Sequence, residues 1–454
     1  MDYDDFDLRL LRDGRQYAVQ VDCPEGEAFS PMARDSAPEA GAGLVAHFQA
    51  LLSRKGLGPL PSASRDYAQE ADELHRLEVA GRELFALAFP AETSRLWHRC
   101  LARTAEAGRG LRLRIHVDLE QRQLAWLGAL PWELLYDDDS GGFLALDART
   151  PVVRYLDMRR ARRSLPRARP WRVLMVAPEP YGVERLDVAR ERTNLLETWG
   201  EDGRVEPVLP DRFTFDDVRA VLRREPIHAI HFVGHGDFDD RTGWGSLIFE
   251  GPMGRPVPIG GPILGGLVRG LAPPPALAVL NGCSTARTDD LEGAWAFSGA
   301  AAALVKAGIP AAVAMQQPMA DLEAIQCSKI LYRVLQDGQS VDAAMAEARL
   351  SLQQGFPGPT WAIPALHLRT LDGCLALPAE SSEPESPPPR EGSSVEVEVH
   401  EVDLDGSAGE IVGREDFGNA PSARPGEERT RVHGTGLSAR NSSLKIIGVR
   451  RGKD

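Results

Sequence analysis

Two short apolar runs in this chain each end in a glycine and then a single reactive side chain. The first run, His228 to Val233, is followed by Gly234 and His235. The second, Leu277 to Leu280, is followed after one asparagine by a glycine and Cys283. Apolar runs of this length are typical of strands buried on both faces of a parallel sheet, where ligands bind at the carboxyl ends of the strands. We therefore expect His235 and Cys283 to lie at the same edge of one sheet.

A cysteine next to a histidine can form a thiolate nucleophile, because the imidazole takes the thiol proton and stabilises the resulting charge. The two residues are 48 positions apart (283 − 235), close to the spacing of about 50 residues found in caspases. Asn281-Gly282-Cys283-Ser284-Thr285 is nevertheless not the caspase sequence around the nucleophile. The glycine-lined setting favours a reactive pair over a buried structural cysteine.

His228 and His231 lie within the first apolar run, so we interpret them as packing or hydrogen-bonding residues. Glu133 is also interpreted as a structural residue, whose charge is paired with an arginine such as Arg154. Trp132 and Tyr136, in the same block, are predicted to be buried.

Several blocks of the chain together resemble CHAT domains, which are caspase-like relatives of the separases. The resemblance runs from about Phe6 to about Gly373. It is carried by H-F-V-G-H-G at 231–236, L-N-G-C-S-T-A at 280–286, the segment from Trp295 to Asp321, L-P-W-E-L-L-Y-D at 130–137 and G-F-L-A-L-D at 142–147.

The resemblance implies a caspase-like, parallel-rich sheet flanked by helices, and a cysteine endopeptidase that uses a His-Cys dyad, here His235 and Cys283. It also implies a switched enzyme that cleaves a dedicated protein partner in bacterial antiviral defence or regulated cell death. The alternative is a catalytically silent scaffold that recruits a partner through its C-terminal tail.

In a peptidase of this kind the backbone N–H groups of Gly236 and Cys283 are expected to bind the oxyanion. Acidic residues follow both reactive residues, and with Asn281 they form the predicted substrate pocket: Asp237, Asp239 and Asp289. A carboxylate there would select Arg or Lys in the substrate. The alternative is that these are solvated loop acids. The reaction requires neither a metal nor an organic cofactor.

Composition narrows the class of protein further. A chain of 454 residues predicts two or three domains. The acidic start does not resemble a signal peptide, and no apolar run is long enough to span a bilayer. Five cysteines without CxxC spacing indicate neither a zinc site nor a disulfide framework, and a free thiol suits a reducing cytoplasm. The net charge of −14 argues against nonspecific nucleic-acid binding, which depends on neutralising phosphates.

The chain divides by composition into five parts. Residues 1–157 form an N-terminal α+β region, and 158–170 a basic, proline-containing linker that is either merely solvated or cleaved on activation. Residues 171–377 form the catalytic domain, in which strands and helices alternate. Residues 378–394 are a disordered Pro/Ser/Glu-rich linker. Residues 395–454 are a β-prone tail, which either docks a regulatory partner by strand addition or is disordered.

Turn and cap signals locate individual elements. A hairpin is predicted around Asp13-Gly14-Arg15, a helix N-cap at Thr214, and a second hairpin within 245–261. Leu111 to Val117 alternates apolar and polar residues and is predicted to be a half-exposed strand. Cys327 is predicted to lie in a helix with a core-like pattern.

Overall fold

The computed structural model describes residues 1–14, 16–32, 38–52, 67–118, 121–156, 165–166, 170–183, 188–239, 244–282, 291–317, 319–356, 358–377, 396–400, 403–405, 409–414, 431–435, 438–440 and 444–449. The chain divides into two compact units, Met1–Pro378 and Ala379–Asp454. We describe each unit by itself.

The helices of the first unit are α1 (Pro38–Leu52), α2 (Tyr67–Ala88), α3 (Ala91–Glu106), α4 (Ala125–Gly128), α5 (Val188–Asp202), α6 (Phe215–Arg224), α7 (Gly261–Arg269), α8 (Leu291–Ala307), α9 (Asp321–Gln336) and α10 (Val341–Gly355). Its strands are β1 (Tyr3–Asp13), β2 (Gln16–Cys23), β3 (Gly26–Pro31), β4 (Gly110–Val117), β5 (Tyr136–Asp137), β6 (Gly142–Phe143), β7 (Val152–Tyr155), β8 (Leu165–Pro166), β9 (Trp171–Val176), β10 (Val205–Val208), β11 (Ala229–Gly234), β12 (Gly236–Asp239), β13 (Trp244–Glu250), β14 (Pro256–Gly260), β15 (Leu277–Gly282), β16 (Ala311–Met315), β17 (Pro364–Leu368) and β18 (Ala376–Leu377).

One large sheet dominates the first unit. Eleven of its described strands follow the order β10-β9-β11-β15-β16-β17-β7-β4-β1-β2-β3. The neighbours from β10 to β16 are all parallel, whereas β17 is antiparallel to β16. The predicted fold class is confirmed: a parallel-rich sheet flanked by helices.

The central parallel strands of this sheet, β9, β11, β15 and β16, are buried on both faces, as expected for parallel strands linked through helices. On β9, Val173 and Met175 belong to the apolar cluster that includes residues of α5, α9 and α10. Leu174 and Val176 belong to a second cluster with residues of α6, α7 and α8. Because neighbouring side chains on a strand point to opposite faces, one continuous apolar run supplies both layers.

The N-terminal region contributes strands to the same sheet. β17 joins the two halves, because it pairs with β16 on one side and with β7 on the other. β7, β4 and β1 then continue in parallel. The domain boundary at 158–170 therefore separates two sets of strands within one sheet. Whether these parts fold as separate domains stays a prediction.

The two predicted hairpins and the predicted helix cap are present in the structure. β1 and β2 form the predicted antiparallel hairpin, and Gly14 at its turn has a φ of 58°. The N–H of Asp217 donates to the hydroxyl of Thr214 at 3.2 Å, as expected of an N-cap residue. β13 and β14 form the second predicted hairpin.

The expectation of a half-exposed strand at β4 is wrong. Arg112 and Arg114, on the polar face of β4, are 2% and 4% exposed. Arg112 forms a buried ion pair with Asp342, and Arg114 Nη2 lies 2.8 Å from Asp5 Oδ2. The alternation of apolar and polar residues arises because the polar face is covered by carboxylates, not by water.

The second unit contains β19 (Glu396–His400), β20 (Asp403–Asp405), β21 (Gly409–Arg414), β22 (Arg431–Thr435), β23 (Ser438–Arg440) and β24 (Leu444–Val449). Across both units, no helix in the described part of the chain is long and apolar enough to cross a membrane.

Candidate active site

The two runs predicted to carry the reactive residues are neighbouring strands of the large sheet. β11 and β15 are parallel and in direct register, with Gly234 opposite Gly282. His235 therefore begins the segment that leaves β11 at the level where β15 ends. Cys283, the residue after Gly282 in sequence, lies outside the described residues, as does Asp289.

His235 connects the large sheet to a small three-stranded sheet made of β12, β13 and β14. Its side chain is half-buried. Its carbonyl oxygen accepts a hydrogen bond of 3.0 Å from the N–H of Ile248 on β13. The backbone at His235 is thus held by β11 on one side and by β13 on the other.

The register of the small sheet determines where the N–H of Gly236 points. Gly236 is opposite Leu247, and the bond from Ile248 N–H to the His235 carbonyl flanks this pair. In an antiparallel ladder, a pair flanked in this way is not hydrogen-bonded, and its own N–H groups point away from the partner strand. The Gly236 N–H therefore points away from β13, as an oxyanion donor would have to.

Glycines allow close packing around this strand end. A Cβ at Gly234 would lie 3.2 Å from ring atoms of Phe232 and 3.4 Å from Pro178. A Cβ at Gly299, on α8, would lie 2.9 Å from the backbone nitrogen of Gly245 on β13. The small sheet is therefore packed directly against α8, the helix that follows residues 283–290 in the chain.

The other two histidines of the first run have structural roles, as predicted. Nδ1 of His228 accepts a hydrogen bond of 2.8 Å from the backbone N–H of Arg172. Nδ1 of His231 lies 3.2 Å from the hydroxyl of Tyr332, and its ring packs edge-on against Trp199. Complete burial lowers the pKa of His231 to about 3, so it stays neutral and does not titrate near neutral pH.

The remaining described cysteines differ in reactivity. Cys327 is buried in α9, as predicted, and burial raises the pKa of its thiol to about 12. Cys23 is only partly buried, and a hydrogen bond from Cys100 lowers the pKa of Cys23 to about 7, against the opposing effect of burial. Cys23 is therefore a partly exposed thiol with a lowered pKa, which favours its alkylation.

The predicted pocket residues fall in different environments. Asp237 is exposed on β12, opposite Ser246, and Asp239 belongs to the same strand. Asn281 is fully buried near the end of β15. The pocket assignment stays a prediction, since only part of the set lies within the described residues.

A buried charge network lies at the end of the next strand, β16. Glu133 accepts hydrogen bonds from Arg154 at 3.0 Å and from Gln316 at 2.7 Å, and Arg349 Nη2 lies 3.8 Å from the same carboxylate. Pairing of Glu133 with Arg154 was predicted; Gln316 and Arg349 were missed. The available signal was a glutamine directly after an apolar strand, and an arginine in an alanine-rich helix.

Among the described residues, one group has the composition of a metal site: His98, Asp137 and Asp139, whose ligand atoms lie within 4.8 Å of one another. Nε2 of His98 lies 3.2 Å from Asp137 and 3.3 Å from Asp139. Asp137 also accepts hydrogen bonds from Ser140 and from the N–H of Asp139. These contacts within the group explain why its ligand atoms lie so close to one another.

Comparisons with known proteins show which solved structures and which protein family this chain is similar to. Two structures of the Saccharomyces cerevisiae separase–securin complex are similar, at 10% and 9% identity with TM-scores of 0.39 and 0.40. They cover 81% and 80% of this chain, which spans 30% of the matched chain in each. The complex of the Porphyromonas gingivalis RgpB pro- and mature domains is similar at 9% identity, with a TM-score of 0.40, over 68% of this chain and 78% of that one.

No curated protein matches the chain. The model of the CHAT domain family matches residues 90–364, more than half of the chain and most of the span over which the sequence motifs resemble that family. This chain belongs to the CHAT domain family.

Proposed function

We propose that this protein is a cysteine endopeptidase that cleaves a protein substrate with the dyad His235 and Cys283. The observation that carries the proposal is the direct register of β11 and β15, with Gly234 opposite Gly282. One reactive residue follows each of these paired glycines in the sequence. Family membership supports the same assignment.

In the proposed mechanism His235 takes the thiol proton, and the Cys283 sulfur attacks the carbonyl carbon of the scissile bond. The N–H groups of Gly236 and Cys283 bind the oxyanion of the tetrahedral intermediate. His235 then returns the proton to the leaving amine, and the C–N bond breaks to give a thioester. Water, deprotonated by His235, hydrolyses the thioester and releases the acid product.

The outward direction of the Gly236 N–H, inferred from the register of the small sheet, supports its proposed role. Loss of a single oxyanion donor typically costs about 3 to 4 kcal/mol in transition-state stabilisation. We further propose, on family resemblance alone, that a partner or oligomerisation activates the enzyme and that it acts in bacterial defence or regulated cell death.

A covalent probe separates the peptidase from a catalytically silent scaffold. In a Cys23→Ser background, which removes one partly exposed competing thiol, we expect an iodoacetamide probe to label Cys283 at least tenfold faster when His235 is intact than in His235→Ala, because the imidazole generates the thiolate. Mass spectrometry of the labelled peptide measures the rate at each cysteine. Equal rates with and without His235 would favour the scaffold.

Substrate preference gives a second prediction. We propose that an acid such as Asp237 selects a basic residue before the scissile bond, since a carboxylate pairs well with a guanidinium. Fluorogenic peptides ending in Arg or Lys should be cleaved more than tenfold faster than those ending in Asp, a difference of at least about 1.4 kcal/mol. Asp237→Asn should reduce this ratio, whereas Asp72→Asn, at an exposed position on α2, should not. A preference for Asp or apolar residues would contradict the proposal.

A further inference from the structure

The second unit contains two segments that pair with each other strand for strand. We call the three described strands within residues 396–414 coil A and the three within residues 431–449 coil B. β19 pairs in parallel with β22, β20 with β23 and β21 with β24. The first residues of the paired strands differ by 35 positions in every case (431 − 396, 438 − 403 and 444 − 409). A constant offset between parallel strands is the pattern of successive coils of a β-solenoid.

The two coils carry opposite charges. The described strands of coil A contain five carboxylates and one arginine: Glu396, Glu398, Asp403, Asp405, Glu410 and Arg414. Those of coil B contain three cations and no carboxylate: Arg431, Arg440 and Lys445. Coil A is therefore acidic and coil B basic.

The strand register places residues of opposite charge from the two coils opposite each other. Each cation of coil B is opposite a carboxylate of coil A, in the pairs Glu396–Arg431, Asp405–Arg440 and Glu410–Lys445. Apolar residues are matched as well, with Val397 opposite Val432 and Ile411 opposite Ile446. The 35-residue repeat is thus encoded both in charge and in apolar pattern.

The described strands of the second unit make up two coils of this repeat. Each sheet of the second unit has only two strands in the part that the structure describes. Among the described residues, each of these strands is therefore paired along one edge, and the N–H and C=O groups of its other edge face no described strand. Two-stranded sheets are marginally stable in water, and stacked repeats need about three units or capping repeats. A further coil of matching sequence would extend this stack by strand addition.

We propose that the second unit binds a second copy of this chain, with coil A of one copy added to the free edge of coil B of the next. This arrangement repeats the same three opposite-charge pairs and the same apolar pairs between molecules. Stacking A on A, or B on B, would bring like charges together. The contact joins two different surfaces and does not close on itself, so repeated addition gives a filament with a cross-β repeat.

Such stacking would concentrate the first units of many chains, which raises the rate of any encounter between them. The inference goes beyond the proposed peptidase function and does not depend on it.

The test uses the full-length chain carrying Cys283→Ala, which prevents self-cleavage. We expect its sedimentation coefficient to increase with concentration, together with binding of thioflavin T. A first variant makes both coils basic through Glu396→Lys, Asp405→Lys and Glu410→Lys. A second makes both coils acidic through Arg431→Glu, Arg440→Glu and Lys445→Glu.

Each charge variant alone should remain unassembled, and an equimolar mixture of the two should co-assemble. A chain that carries both sets of substitutions has the charges of its two coils exchanged, so every opposite-charge pair is restored and the chain should assemble alone. This variant shows whether loss of assembly in a single set reflects the charges or a failure to fold.

Three results would overturn the proposal. The first is that the parent chain, which carries only Cys283→Ala, sediments as a monomer at every concentration up to its solubility limit. The second is assembly that persists in Ile411→Pro/Ile446→Pro, since proline removes a ladder N–H. The third is a charge-exchanged chain that fails to assemble while the parent does.

Discussion

Cys283→Ala is expected to abolish peptide cleavage, and His235→Ala to reduce kcat/KM by about 10²- to 10⁴-fold, the usual contribution of a positioned acid–base group. Thermal stability should change little on loss of the histidine, because His235 is only half-buried and follows the end of β11. Cleavage of a protein or peptide substrate, together with thermal unfolding of the same preparations, measures both effects.

Matched residues elsewhere in the fold provide the controls. Cys327→Ala removes a thiol that is buried and remains protonated at neutral pH, so activity should persist. His228→Ala removes a histidine at the other end of the strand, where the ring accepts a backbone hydrogen bond. Activity in Cys283→Ala comparable to the parent protein would refute the dyad. Equal loss in the two control variants would mean that the effect reflects folding and not chemistry.

Local sequence was sufficient to predict the strands and helices around the site. The predicted runs that begin at His228 and Leu277 are strands β11 and β15, and helix α6 begins after the predicted N-cap, Thr214. Periodicity and capping are properties of neighbouring residues, so they can be read without knowledge of the fold. The same holds for the difference between His231, within the strand, and His235, after it.

Contacts between segments that are distant in sequence could not be predicted from periodicity or capping signals. The polar face of β4 looked solvated because its partners are far away in sequence: Arg112 pairs with Asp342, 230 residues later. Gln316 was missed for the same reason, since it contacts Glu133 across 183 residues. Alternation shows that a strand has two different faces, but not whether water or protein covers the polar one.

The buried charge network around Glu133 is therefore the part of the candidate site region that the structure shows and the sequence did not predict in full. It lies at the end of β16, next to β15, whose last residue precedes Cys283. Arg154 has further acceptors in the carbonyls of Gly128 and Leu130. Arg349 is fully buried, and its other described partner is the carbonyl of Pro364, at 2.9 Å. Burial lowers the pKa of Arg349, and the charge of Glu133 opposes that shift.

Glu133→Ala should consequently lower the free energy of unfolding by about 3 to 5 kcal/mol, because it leaves buried guanidinium groups without their carboxylate. Denaturant unfolding measures the change. Glu206→Ala is the matched control: it removes a half-exposed glutamate from its pair with Arg172 and should cost less than about 1 kcal/mol.

Arg349→Met in the Glu133→Ala background then tests the cause. If the cost arises from an uncompensated buried charge, removing that charge should restore part of the lost stability, since an apolar side chain of similar length suits a fully buried position. A double variant less stable than Glu133→Ala would show instead that Arg349 stabilises the fold through packing and its bond to Pro364. A cost for Glu133→Ala no larger than that of Glu206→Ala would show that the network contributes no more than a surface pair.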